Sequence, residues 1–334
     1  MLEYADIFEG SHVMDGLVDE LTEGAREEMA VVAEHGGAVE AVPYMKTQLV
    51  ESHRERVRRI ETGDLKVVGQ NVYTEHEPSP LEKGEDGGIL TVDHRVEQSS
   101  IDAVRAWRAA RDQAAVDSAL EELRDAASSD ANVMPATLAA ARAGATTGEW
   151  AGALRDVYGE YRGPTGVADA AAAPDDASLT ELRDRVERVS EALGRRVKIL
   201  VGKPGLDGHS NGAEQIAVRA RDAGMDVVYE GIRLTPARIA RTAVDEGVHV
   251  VGLSILSGSH AELIPDVLHE LEEAGADVPV VVGGIIPHAD EEALLEAGVA
   301  RVYTPKDFEV TRIMGDIVDL VAERYGVAAP SATA

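Results

Sequence analysis

Lys203-Pro-Gly-Leu-Asp-Gly-His-Ser-Asn-Gly212 follows a run that reads as a β-strand, Arg196 to Val201 (RVKILV), and precedes one that reads as a helix, Ala213 to Ala223. That order puts the stretch on a βα loop, where open α/β sheets bind ligands. From such a loop His209 can reach a metal. Asp207, two residues earlier, can accept its second ring proton, and Lys203 can complete a Lys–Asp–His hydrogen-bonded series. Gly205, Gly208 and Gly212 permit tight turns and close approach of a large ligand. Taken alone, the run is equally open to a plainer reading, because Asp, Gly and Asn are ordinary turn residues and a lone loop histidine usually has no special role.

Outward from this loop the alternation is regular. Strands are predicted at 196–201, 226–230, 248–254, 279–283 and 300–303, with helices near 212–223, 235–246, 260–274, 289–297 and 309–324. Strands rich in Val and Ile with no polar alternation are buried on both faces. This pattern implies a doubly wound parallel sheet of flavodoxin-like type. Three of its βα loops carry unusual content. The first holds Asp207, Gly208, His209 and Gly212; the one after the third strand reads Ser254-Ile-Leu256-Ser-Gly258; the one after the fourth reads Gly283-Gly284-Ile-Ile-Pro287. Gly283 and Gly284 remove side chains where something large must slide against the backbone, and Ser254 can hydrogen-bond inside the same slot.

Upstream, Val13, Met14, Leu17, Val18, Leu21, Ala25, Met29 and Val32 lie largely on one face of a helix over 11–35. A second helix is expected over 44–61, then a strand over 65–73 (LKVVGQNVY), a Pro-rich turn region and a short strand at 89–92. One long helix is expected over 99–127 with Ser99 or Ser100 as its N-cap. Further helices follow at 135–143, from Thr147, and at 179–193. Trp107 and Trp150 read as helix-packing residues, and 163–177 as a linker of small, acidic and Pro residues. His249 reads as a satisfied core residue; His260 and His288 fall near the same sheet edge as His209; His53, His76 and His94 show no metal-ligand spacing.

Composition excludes several function classes. With 44% apolar but only 4% aromatic residues, the core rests on Val, Leu, Ile and Ala. The net charge of −29 is spread along the chain, so nucleic acid is an unfavourable partner. Six lysines against 26 arginines, on an Asp- and Glu-rich surface, point to the high-salt cytosol of a halophile, where screening makes self-repulsion tolerable. There is no cysteine, which removes disulfides, cysteine-held clusters and thiolate nucleophiles. No signal peptide or membrane-length apolar run is visible, and a cytoplasmic location is expected.

The three loops together resemble the cobalamin-binding domain of adenosylcobalamin-dependent mutases, whose pattern is Asp-x-His-x-x-Gly, Ser-x-Leu and Gly-Gly. The resemblance implies adenosylcobalamin as cofactor and His209 as lower axial ligand of its cobalt, in place of the cofactor's own dimethylbenzimidazole. Asp207 then fixes the histidine tautomer and Lys203 extends the relay. Gly208, Gly212, Ser254, Leu256, Gly283 and Gly284 shape or contact the slot for the cofactor's tail. Stretches 7–13 (IFEGSHV), 71–81 (NVYTEHEPSPL), 105–111 (RAWRAAR) and 134–150 (MPATLAAARAGATTGEW) look like acyl-CoA mutases. Stretches 203–219 and 303–308 (YTPKDF) look most like the ethylmalonyl-CoA mutase branch beside methylmalonyl-CoA mutase.

The domains expected are a terminal fragment of the mutase barrel over 1–45, a mainly helical linker region over 46–162, a flexible linker over 163–178 and the cobalamin-binding domain over 179–334. The family places a (β/α)8 barrel before this point, and the apolar face of 11–35 has nothing here to cover it. The expected partner is therefore a second mutase subunit carrying the acyl-CoA-binding barrel, in a hetero-oligomer without nucleic acid or membrane. No catalytic residue is assignable in this chain. The resemblance implies an isomerase that rearranges ethylmalonyl-CoA/methylsuccinyl-CoA or methylmalonyl-CoA/succinyl-CoA. A corrinoid carrier of a methyl-transfer system, which uses the same fold and Asp-x-His-x-x-Gly loop, is the alternative.

Overall fold

Alternate residues of the Val- and Ile-rich runs after residue 196 face opposite sides of one sheet, so both sides must be covered by apolar helices. The structure, a computed structural model, describes residues 8–75, 94–167, 177–256 and 258–327. The strands β1 (Lys198–Gly202), β2 (Asp226–Tyr229), β3 (Val250–Ile255), β4 (Val280–Gly284) and β5 (Arg301–Tyr303) are parallel and ordered β2-β1-β3-β4-β5. That is the flavodoxin-like order, with its switch point between β1 and β3. Ile199, Val201, Val250 and Val281 pack into one layer with α7 (Ala177–Leu193), α8 (Asn211–Asp222) and α12 (Val310–Arg324). Leu200, Val251, Leu253, Ile255, Val280 and Val282 pack into the other with α9 (Pro236–Glu246), α10 (His260–Glu273) and α11 (His288–Glu296).

Upstream lie α1 (His12–Glu34), α2 (Val42–Glu61), α3 (His94–Ala110), α4 (Gln113–Ala127), α5 (Val133–Ala143) and α6 (Thr147–Tyr158). The chain divides into two compact units: 1–75 with 163–334, and 76–162. Residues 46–75 thus group with the sheet, whereas the sequence reading joined them to 76–162. The reason is α2, whose Val50 enters the core beneath α8. In contrast, α1 buries none of its residues and exposes Val13, Leu17, Val18, Leu21 and Met29.

In the second unit, α4, α5 and α6 enclose Val116, Leu120, Leu123, Ala140 and Ala153. Arg111 bonds both carboxylate oxygens of Glu149 at 2.6 and 2.7 Å. Glu149 also closes a capping box with Thr146 at the start of α6. The bonds from Arg111, ahead of those from Thr146, hold the Glu149 carboxyl down at about 2.

Several local expectations are corrected. The strand expected over 65–73 is a pair of turns with one isolated bridge, Val68 to Val72. Asn71 dictates this: its Oδ1 accepts from Val67 N at 2.7 Å, and its Nδ2 donates to the carbonyls of Ile60 and Leu65. The single helix expected over 99–127 starts instead at His94 and breaks into α3 and α4. Asp112 makes the break, accepting from Ala115 N as the N-cap of α4. Trp150 is part of the helical core, but Trp107 is 57% exposed and touches its unit through a bond from Nε1 to the Gly144 carbonyl (3.0 Å). The strand expected at 89–92, His76 and most of the 163–177 linker lie outside the described residues. Among the described residues no helix is long and apolar enough to cross a membrane.

His249 immediately precedes β3 and is buried. Its Nδ1 accepts from Lys198 N at 2.9 Å, while Nε2 has no partner, so the expected full satisfaction is half met. Burial, then Arg195 and Lys198, lower its pKa to about 4. The unfolded chain takes up this proton near pH 6.5 and the folded chain only near 4. The unfolded state therefore binds more protons across that window, and stability is lost as pH falls through it, on the order of 2 kcal/mol. His249→Asn keeps an acceptor for Lys198 N without the titration. Urea unfolding should show a shallower loss of stability in the variant between pH 6.5 and 4; parallel profiles would show that His249 does not contribute.

Candidate functional site at the carboxyl edge of the sheet

The loops after β1 and β3 diverge at the switch point, the crevice where doubly wound sheets take their ligands. Lys203 leaves β1 with 1% of its side chain exposed. Its Nζ donates to Asp207 Oδ2 at 2.9 Å and to the Ser254 carbonyl at 3.4 Å, so one ammonium ties the first loop to β3. Asp207 Oδ1 accepts from His209 N at 3.0 Å and faces His209 Nδ1 at 2.6 Å. Burial opposes ionisation of Asp207, but the bonds from Lys203 and from the backbone and ring of His209 outweigh it and hold the carboxyl well below the usual carboxylate range. A carboxylate only accepts, so Nδ1 carries a proton, and in the neutral ring the lone pair is on Nε2. The His209 side chain is 75% exposed.

The β3–β4 register pairs Ser254 with Gly283 and Ile255 with Gly284. Alternation puts Gly252, Ser254 and Gly283 on the face toward α8, where Val250 and Val281 also point. A Cβ on Gly212 would stand 3.7 Å from Ser254 Oγ, whereas a Cβ on Gly283 would meet nothing within 4 Å. Small residues on β3, β4 and α8 thus leave a strip without large side chains. Tyr229 and Tyr303, at the carboxyl ends of β2 and β5, pack into this same layer with buried hydroxyls that have no partner. Burial pushes both hydroxyls up from the ordinary tyrosine range. Gly284 points to the opposite face, where a Cβ would overlap the Ile255 carbonyl oxygen.

The structure therefore brings Lys203, Asp207, Gly208, His209, Gly212, Ser254, Gly283 and Gly284 to one edge. Leu256 lies one residue beyond β3, 40% exposed, with no contact that ties it to the strip. His260 opens α10, is buried, and places Nε2 2.8 Å from Asp290 Oδ2. The His288 side chain lies outside what is described. The sequence reading missed Tyr229 and Tyr303, although each is a hydroxyl ending an otherwise apolar strand. It also missed Lys46, Glu214 and Asp290. A cavity of about 880 Å³ between α2, α7 and α12 shares no lining residue with the three loops.

These elements form an α/β binding domain with a histidine presented at its switch point. Residues 1–160 match the family model described as methylmalonyl-CoA mutase, and residues 197–307 match that of the B12 binding domain. Ethylmalonyl-CoA mutase of Cereibacter sphaeroides is 57% identical over 98% of this chain and 50% of its own. Ethylmalonyl-CoA mutase of Methylorubrum extorquens is 51% identical over 96% and 47%. Mitochondrial methylmalonyl-CoA mutase of Mus musculus is 34% identical over 96% and 43%. The chain belongs to the methylmalonyl-CoA mutase family and carries its B12 binding domain. It spans about half the length of the curated relatives it matches.

The residues present fit a cobalamin, the group that the matched domain implies. His209 Nδ1 is held by Asp207, the strip beside it carries no side chain larger than that of Ser254, and the hydroxyls of Tyr229 and Tyr303 are buried without a partner. The two glycines of the fourth loop should separate under substitution. Gly284→Ala, blocked by backbone, is expected to lose about 3 kcal/mol in urea unfolding, while Gly283→Ala should fold with wild-type stability. Equal stability of both variants would show that the β3–β4 edge is not as drawn.

Proposed function

We propose that this chain is the cobalamin-binding subunit of an acyl-CoA mutase, with adenosylcobalamin as cofactor and ethylmalonyl-CoA/methylsuccinyl-CoA or methylmalonyl-CoA/succinyl-CoA as substrate pair. The observation that carries the reading is the Lys203–Asp207–His209 series beside a strip of glycine and serine. Adenosylcobalamin, when bound, supplies the radical that starts a carbon-skeleton rearrangement. Seating the cofactor falls to residues of this chain. His209 Nε2 would hold the cobalt. Asp207 keeps the proton on Nδ1, orients the ring and raises its basicity. Lys203 keeps Asp207 ionised inside a dry layer. Gly212, Ser254 and Gly283 leave room for the detached base, Gly284 lets β4 lie close against the Ile255 carbonyl on the other face, and Leu256 borders the opening.

The match of residues 1–160 to the mutase model favours this reading over a corrinoid carrier, which would share only the fold and the first loop. His209→Ala should weaken adenosylcobalamin binding by roughly 10- to 100-fold in equilibrium dialysis. Gly283→Ala, stable as it is, should also bind it less tightly. Unchanged affinity in both variants would remove the assignment.

The partner in this proposal is a polypeptide carrying the acyl-CoA barrel, and the uncovered apolar stripe of α1 is its docking surface. Exposed Val13, Leu17, Leu21 and Met29 support the presence of a covering surface. The net charge of −29 supports a high-salt cytosol as the setting, so the assay belongs in concentrated KCl. Mutase turnover of ethylmalonyl-CoA or methylmalonyl-CoA is expected only when this chain is combined with such a barrel. Turnover by the 334-residue chain alone would overturn the partner.

A further inference from the structure

In a flavodoxin-like domain the outward face of a covering helix meets water. In α8 it does not: Glu214, Gln215, Arg219 and Asp222 are all buried. The cover is α2, and each residue has its tie there. Glu214 Oε1 accepts from Lys46 Nζ at 2.6 Å, and Gln215 Nε2 donates to the Val50 carbonyl at 3.2 Å. Arg219 bonds Glu61 at 2.9 Å, and Arg54 lies 3.8 Å from Asp222.

The Lys46 tie differs from the others in where it ends. Besides Glu214, its ammonium donates to Ser210 Oγ at 3.2 Å. Ser210 adjoins His209 and occupies the N-cap position of α8, yet its side chain makes no cap bond. The hydroxyl is turned to Lys46 instead. The His209 loop is therefore held from two sides, by Lys203 through Asp207 and by Lys46 through Ser210. Basic residues here are arginine in 26 of 32 cases, yet both anchors are lysine. A compact ammonium can bridge a hydroxyl and a carboxylate one helical turn apart; a planar guanidinium fork is suited to one carboxylate.

We propose that Lys46 is a positioning residue for His209: by bridging Ser210 and Glu214 it staples the first turn of α8 to α2, and so links the segment that matches the mutase model to the presentation of the axial ligand. This rests on the reading of His209 as the cobalt ligand.

Lys46→Met alone would strand a buried carboxylate, so the test uses Lys46→Met with Glu214→Gln, and separately Ser210→Ala, in the full chain. Adenosylcobalamin affinity is measured by equilibrium dialysis. Electron paramagnetic resonance of bound cob(II)alamin, in protein with isotopically labelled histidine, reports whether the axial nitrogen belongs to a histidine. The double variant should bind roughly tenfold more weakly, about 1.4 kcal/mol, with a mixed axial signature. Ser210→Ala should move in the same direction by roughly threefold, and carries the test if the double variant does not fold. Variants with wild-type affinity and a fully histidine-coordinated signature, even at a lower Tm, would overturn the proposal. His209→Ala separates the two readings. If it abolishes a histidine signature present in wild type, the axial assignment stands and only the role of Lys46 is at stake. If wild type shows no histidine signature, both fall.

Discussion

A lysine ammonium with 1% of its side chain exposed is the constraint from which the site is built. Removing one partner from a buried pair costs roughly 3–5 kcal/mol, so Lys203 and Asp207 fix each other's charge and place. Because Asp207 must stay ionised for Lys203, it can only accept. That requirement fixes the proton on His209 Nδ1 and frees Nε2. The second bond of Lys203, to the Ser254 carbonyl, closes the crevice between β1 and β3 with the same charge. A structural necessity of the layer thus sets the tautomer of the neutral His209 ring.

Much of this was legible in the sequence, for reasons that differ by element. The five strands and their helices are visible because burial on both faces leaves an unbroken Val and Ile signature that few other structures produce. The loop chemistry is visible because acid, histidine and glycine stand at fixed offsets within ten residues. The errors fall where one side chain overrides a pattern. LKVVGQNVY has the apolar content of a strand, but the three bonds of Asn71 close it into turns. The run over 99–127 keeps helical spacing through residue 111, but Asp112 caps a new helix. Neither competition between side chain and backbone is written in hydrophobic periodicity.

The missed site residues share another cause. Tyr229 and Tyr303 are aromatic residues in strands and read as ordinary packing; only the packed structure shows hydroxyls without partners beside the strip. Asp290 lies thirty residues from His260, and only the parallel order of β3 and β4 brings their helices together. A pairing made by topology leaves no local trace.

The polar face of α8 is the clearest instance. Glu214, Gln215, Arg219 and Asp222 have the spacing and composition of a solvated helix surface, and in an isolated flavodoxin-like domain they would be one. Covered by α2, the same residues become the means by which the sheet domain recognises its own N-terminal segment. A purely apolar α8 could pack against many helices. Charged partners at Lys46, Arg54 and Glu61 accept one helix in one register, because any slip leaves a buried charge without its counterpart. That specificity is exercised on the helix that begins two residues after His209, so the fit of α2 and the seating of the His209 loop share one contact, from Lys46 to Ser210.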